Sequence, residues 1–193
     1  FVLPMRRERQ SRTQCHPLLN LHFRTATNER LHLRACLLSI CRDVDGGYTE
    51  FMKVRADFVH PIPDSLSDSE AAPLLCAGAI GYRSLRLSNL QDGQLLGLMG
   101  FGGSNHLVLK MVLHKFPNSN IFVFSRSEGE RDFALSLGAV WAGAIDEISP
   151  EALDAVIDTT PVWGPDLVAL KRLKPGGRLV INAIRKETSD QQV

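Results

Sequence analysis

A doubly wound α/β fold, one parallel sheet with helices on both faces, is predicted from about residue 94 onward by three observations. Five short apolar runs, the second of them (NIFVFS) rich in β-branched and aromatic residues, alternate with stretches of helical character. Such alternation is satisfied by parallel strands joined through helices. The first run breaks into closely spaced glycines and then continues as a helix-like segment, the order of a strand, a tight turn and a helix start. The second run begins about 20 residues after those glycines, a separation that accommodates one helical crossover.

The elements follow in order. Residues 95–105 read LLGLMGFGGSN and continue as HLVLKMVLHKF. Gly100 permits the turn, and Gly102 lets the backbone approach a ligand. The free N–H groups and positive dipole end of a helix starting near Ser104 face negative charge. Gly100, Phe101, Gly102, Gly103, Ser104 and Asn105 are therefore read as the cradle of a dinucleotide pyrophosphate. Asn105 stands where the third glycine of G-x-G-x-x-G is expected. This departure is expected to widen the helix–strand approach or shift the turn while leaving the phosphate site in place. Residues 120–125, NIFVFS, form the second strand, and its end carries Ser125-Arg126-Ser127. A cation between two hydroxyls, where an NAD site usually places Asp or Glu, predicts a 2′-phosphate pocket and NADP rather than NAD. A helix over 129–137 turns Phe133, Ala134 and Leu137 to one face and stops at Gly138, followed by a short third strand over 139–142. LDAVID at 153–158 is the fourth strand and ends in Thr159-Thr160-Pro161. A helix over 166–173 ends in Lys171 and Arg172, and Pro175-Gly176-Gly177 turns the chain into the fifth strand, RLVIN at 178–182. A ligand is expected at the carboxyl ends of these strands.

Composition places the 193 residues in the soluble globular class: the net charge is +1 and 44% of residues are hydrophobic. No apolar run reaches the length needed to span a bilayer. The overall charge points to neither a nucleic-acid nor a membrane partner. Phe1-Val2-Leu3-Pro4-Met5 is too short for a secretory leader and is followed by RRERQSR, so a cytoplasmic location is expected. The absence of an initiator methionine suggests a fragment. Residues 1–42 carry eight Arg, no Lys and two acids, Glu8 and Glu29, so this segment is about +6 and the remainder about −5. Cys15, His16, His22, His32, Cys36 and Cys41 invite a zinc reading, yet there is no C-x2-C pair and an apolar LLSI separates Cys36 from Cys41. An arginine-rich arm for nucleic acid or membrane is a second reading. The favoured one is an irregular segment without evolved function, because its hydrophobic residues follow neither helical nor strand periodicity.

From Asp43 the texture changes. VDGGYTEFMKVRADFVHPIPDSLSDSEAAPLLCAGAIGYRSLR reads as a Gly-Gly turn, a strand over 49–54, a proline-bounded loop, and a helix opened by Ser67 and Glu70 at capping-box spacing. GGYTEF, FVHPIPDSLSDSEAAPLLCAG and GLMGFGGSNHLVLK, in that order, resemble the zinc-dependent alcohol dehydrogenase branch of the medium-chain dehydrogenase/reductase superfamily. The resemblance covers residues 43–187. It implies a Rossmann-type domain over 88–193, C-terminally truncated, preceded over 43–87 by a partial, mostly β GroES-like catalytic domain. It implies that Cys76, in AAPLLCAG, is one thiolate ligand of a catalytic zinc. It also implies that Thr159, Thr160 and Ala183 lie beside the cofactor. A zinc with one open position lowers the pKa of an alcohol oxygen so that hydride can leave for a nicotinamide. The implied function is hydride transfer between a small alcohol or aldehyde and NADP(H), with a homo-oligomer through the Rossmann domain as an allowed assembly.

The departures shape the expectation equally. The family's first catalytic thiolate, its Gly-His-Glu motif and the four cysteines of its structural zinc lobe are not found in residues 1–42, although NERLHLRAC echoes the end of that lobe. The Arg-rich, Lys-free segment has the texture of out-of-frame translation, and the chain stops soon after its fifth strand, so truncation at both ends is expected. The chain as written is expected to be inactive, and the alternative reading is a non-catalytic dinucleotide-binding remnant.

Overall fold

The computed structural model describes residues 2–4, 51–53, 61–183 and 186–187. The chain divides into two units, Phe1–Pro63 and Asp64–Val193. In the first, β1 (Val2–Pro4) pairs antiparallel with β2 (Phe51–Lys53), with Leu3 opposite Met52. β2 lies inside the strand expected over 49–54. The Cys and His residues considered above as zinc ligands, and the rest of the Arg-rich segment, lie outside the described residues.

The second unit opens with α1 (Asp68–Ala71), started by the capping box that the sequence spells. The Ser67 N–H donates to Glu70 Oε2 at 2.9 Å, and the Glu70 N–H donates to Ser67 Oγ at 3.4 Å. These bonds satisfy two amide donors that a helix start leaves free. A single 3-10 turn, Ala72–Leu75, leads through Cys76 into α2 (Ala77–Ser88), which Asn89 ends in the left-handed region at φ 52°. Then come β3 (Leu95–Met99), α3 (Gly103–Lys115), β4 (Asn120–Phe124), α4 (Glu128–Ser136), β5 (Trp141–Gly143), β6 (Leu153–Asp158), α5 (Gly164–Arg172) and β7 (Leu173–Ile181).

The five strands of this unit form one sheet in the order β5-β4-β3-β6-β7, every neighbouring pair parallel. Alternate residues of each strand face opposite sides, and both sides are covered. Leu96, Leu98, Ile121, Val123, Ala155 and Ile157 pack with Leu85 of α2, Val108, Leu109 and Val112 of α3, and Ala134 of α4. Leu95, Met99, Phe122, Phe124, Leu153 and Val156 pack with Ala169 of α5. That is why β3 reads as an unbroken apolar run: all five of its residues are buried. Each of the large side chains so buried contributes about 1.5–3 kcal/mol.

Three boundaries differ from the sequence reading, each for a local reason. The third strand starts at Trp141, opposite Phe122, because the Ala139 N–H closes the end of α4 on Ala134 O at 3.0 Å and Val140 only reaches the sheet edge, through its N–H to Ile121 O at 3.0 Å. α5 starts at Gly164, with Pro165 in the first turn where its missing N–H costs nothing. β7 begins at Leu173, opposite Leu153, but its register then jumps so that Arg178 faces Ala155. Pro175-Gly176-Gly177 forms the irregularity, with Gly176 at φ 81°.

From β3 the chain steps outward through β4 to β5, then returns to the other side of β3 as β6 and β7. The order reverses between β3 and β6, and the crevice at the carboxyl ends of those two strands is the place where this architecture receives ligands. Among the described residues no helix is long and apolar enough to cross a membrane.

Candidate functional site

Gly100 leaves β3 at φ 75°, a conformation that side chains disfavour. A Cβ there would stand 3.2 Å from both Thr159 Oγ1 and Thr160 Cγ2. Its N–H continues the sheet ladder to Phe124 O at 2.8 Å, and the Thr159 N–H donates to Met99 O at 3.1 Å, so the ends of β3, β4 and β6 are tied together below the loop. Gly102 caps α3 in an extended conformation (φ −88°, ψ −163°), without a side-chain cap. A Cβ on Gly102 would meet nothing within 4 Å. The N–H groups of Gly103, Ser104 and Asn105 have no intrahelical acceptor by position. The first helical bond is that of the His106 N–H to Gly102 O at 3.1 Å. Uncapped donors, a positive helix end and open space over Gly102 fit a pyrophosphate group.

The other residues singled out in the sequence divide into those that face this loop and those that support it. Phe101 is buried and packs edge-to-face on Phe133 with ring centroids 6.0 Å apart, so its side chain is structural. Asn105 is fully buried. Its Nδ2 donates to Met99 O, Gly100 O and Thr159 Oγ1 at 3.1, 2.8 and 3.1 Å, so the residue in the third glycine's place stitches the turn to the end of β6. The Thr159 hydroxyl donates to Met99 O at 3.1 Å, and the Thr160 hydroxyl to Asp158 Oδ1 at 2.8 Å. Both hydroxyls are thus engaged within the fold, while Ala183 follows the end of β7, half-buried.

At the end of β4 the roles also separate. Ser125 is buried and its hydroxyl donates to a Glu130 carboxylate oxygen. Ser127 caps α4, its Oγ accepting from the Glu130 N–H at 3.4 Å. Arg126 is exposed. Arg131 donates to Ser125 O at 2.8 Å and to Arg126 O at 3.2 Å, placing a second guanidinium at this strand end. Glu130 and Arg131 escaped the sequence reading. The signal for Glu130 was present, because Ser127 and Glu130 stand at the Ser-x-x-Glu spacing of a helix start.

Cys76 is exposed, so it is not a core thiol of this unit. Ala77, next to it, accepts from Ser104 Oγ at 3.2 Å and lies 3.7 Å from a Cβ built on Gly103, which places the start of α2 against the glycine loop. Among the described residues no three His, Cys, Asp or Glu side chains come together. Cys76 is therefore not part of a three-ligand cluster there, and the described residues do not by themselves build a zinc site.

No family model matches the chain. Similar proteins nevertheless agree with one another. The probable alcohol dehydrogenase AdhA of Mycobacterium tuberculosis (strain CDC 1551 / Oshkosh) is 47% identical over 142 residues, which cover 74% of this chain and 40% of that protein. The probable cinnamyl alcohol dehydrogenase of Populus deltoides is 32% identical over 177 residues, covering 88% of this chain and 49% of the relative. Among solved structures, CAD from Helicobacter pylori complexed with NADP(H) superposes with a TM-score of 0.64 at 28% identity, over 75% of this chain and 42% of the other. The chain spans half or less of the length of these relatives.

Proposed function

Because this chain belongs to the alcohol dehydrogenase branch of the medium-chain dehydrogenase/reductase superfamily, we propose that its sheet unit is the dinucleotide-holding part of an oxidoreductase that moves hydride between a small alcohol or aldehyde and NADP(H). The observation that carries this reading is the uncapped start of α3 at Gly102, open to ligand at the point where the strand order reverses. The nicotinamide, when bound, gives or takes the hydride. The chain's own part is to hold and orient. The N–H groups of Gly103, Ser104 and Asn105 face the pyrophosphate. Arg126 and Ser127 receive the phosphate on the adenosine ribose, with Ser125 and Arg131 fixing the backbone beneath them. The backbone of Thr159, Thr160 and Ala183 flanks the nicotinamide half. Cys76 is assigned, on the family pattern, as a thiolate ligand of the catalytic zinc.

A paired titration with NADPH and NADH tests the cofactor assignment. A guanidinium bonds a phosphate dianion more strongly than a neutral hydroxyl, so NADPH should bind more tightly. Arg126→Ala should weaken NADPH by about tenfold or more and leave NADH nearly unchanged. Equal losses for the two cofactors would refute the 2′-phosphate assignment.

The metal assignment has its own outcome. One thiolate with water as its only companions holds zinc poorly. The 193-residue chain alone is expected to bind dinucleotide, to retain no stoichiometric zinc, and to show no alcohol oxidation. About one tightly held zinc per chain, measured by atomic emission after dialysis, would overturn that expectation.

A further inference from the structure

Beneath the loop that leaves β6 lies a buried ionic cluster with no part in the chemistry described so far. Asp158 ends β6, Asp166 stands in the first turn of α5, and Lys186 follows β7. Their side chains are 0%, 6% and 4% exposed. The Lys186 ammonium donates to Asp158 Oδ2, to Val162 O at 2.9 Å and to Thr160 O at 3.3 Å, and lies 2.6 Å from Asp166 Oδ2. It also sits 5.4 Å from the centre of the Trp163 ring. Asp158 Oδ1 accepts from both the N–H and the hydroxyl of Thr160. Four polar groups of the segment 159–163, the N–H, hydroxyl and carbonyl of Thr160 and the carbonyl of Val162, therefore converge on one ammonium and one carboxylate. This segment also abuts the phosphate loop, because Thr159 and Thr160 are the neighbours that a Cβ on Gly100 would meet.

We propose that Lys186 is a positioning residue for the dinucleotide crevice, holding residues 159–163 in place as one wall and, together with Asp158 and Asp166, setting the charge of that wall. The inference rests on the dinucleotide reading given above. Two buried carboxylates share one cation, so the cluster is neutral with Asp166 protonated and carries one negative charge with Asp166 ionised. Burial pushes the Asp166 carboxyl above the usual carboxylate range, opposed by the Lys186 ammonium and reinforced by the charge of Asp158. Among the described residues, the other charged groups on the packed elements are engaged elsewhere or, like Lys171 of α5, exposed. Lys174 of β7 pairs with Asp154 of β6, Arg178 of β7 donates to Leu87 O, and Arg172 of α5 donates to Ile145 O and Asp146 O. Among the described residues, Asp158 and Lys186 are thus the charges that face Asp166. As pH rises through the raised pKa of Asp166, the wall gains negative charge and binding of a phosphate-bearing dinucleotide should weaken by about three- to tenfold.

The test uses the full chain with two variants and two readouts, hydrogen exchange of the amides of residues 159–163 and NADPH titration from about pH 4 to about pH 9. Lys186→Met should speed exchange in 159–163 by about tenfold or more, leave β3 and β4 protected, and weaken NADPH by about tenfold. Asp166→Asn should keep the segment protected and flatten the pH profile of NADPH affinity relative to the parent. Unchanged exchange in Lys186→Met overturns the proposal, as does faster exchange with unchanged affinity. Should Lys186→Met not fold, Asp166→Asn decides: a pH profile identical to the parent's overturns it. A parent chain that takes up no NADPH at any pH, while Lys186→Met still loosens 159–163, overturns the dinucleotide reading and leaves the hold of Lys186 on 159–163 standing.

Discussion

Gly97→Leu is expected to lower the stability of the sheet unit by about 3 kcal/mol, a large share of what a domain of this size has to lose. Gly97 lies at the centre of β3, paired with Phe122 on one side and Val156 on the other. A Cβ there would stand 2.6 Å from Leu153 Cδ1, 3.1 Å from Val156 Cγ2 and 3.5 Å from Phe124 Cε2, all side chains at or near zero exposure. A close-packed interior has no space into which these side chains can retreat, so the added atoms force side chains off their rotamers or the strands apart. The glycine is thus held for packing, and its loss should appear as a lower urea midpoint at unchanged slope. Leu153→Ala in the same chain should recover part of the loss, since it removes the first atom struck. A double-mutant cycle with no coupling would place the clash elsewhere.

The sheet was legible because its signals are local. LLGLM, IFVF and AVI are unbroken apolar runs because helices cover both faces, and each run ends where the chain must turn. The less legible edges have physical causes as local as the strands themselves. Ala139 and Val140 have strand-like side chains, but the Ala139 backbone is used to close α4. The Pro175-Gly176-Gly177 turn is absorbed as an irregularity within β7, because Leu173 already pairs with Leu153 before the turn begins.

The site was legible in proportion to how much of it is backbone. Glycine at 100 and 102 is dictated by a left-handed turn and by access to a helix start, both readable from spacing. The side-chain partners were harder. Asn105 looked like a missing glycine, whereas it is the donor joining the phosphate turn to Thr159, 54 positions along the chain. Ser125 looked like a ligand donor, and Glu130 has taken its hydroxyl. Lys186 gave no signal, since an isolated lysine after a strand is ordinarily solvated. Asp158 did give one: a carboxylate closing an otherwise apolar buried strand requires a partner, and only the fold supplies it from 28 residues away.

Gly102→Val is expected to have the opposite profile to Gly97→Leu, with stability within about 1 kcal/mol of the parent and NADPH affinity reduced about a hundredfold. The backbone at Gly102 is extended at φ −88° and ψ −163°, which a β-branched residue adopts readily, and a Cβ there meets no protein atom within 4 Å. The fold therefore has no need of a glycine at this position. A ligand does, because an isopropyl group over the start of α3 would stand between the pyrophosphate and the N–H groups of Gly103, Ser104 and Asn105. Losing two or more charge-assisted bonds at about 1.5 kcal/mol or more each accounts for the factor. Thermal melts and NADPH fluorescence titrations on the two glycine variants separate packing from binding within one strand and its turn. If Gly102→Val binds NADPH as the parent does, the phosphates do not lie on this helix start, and the cofactor reading of the loop fails with its stability untouched.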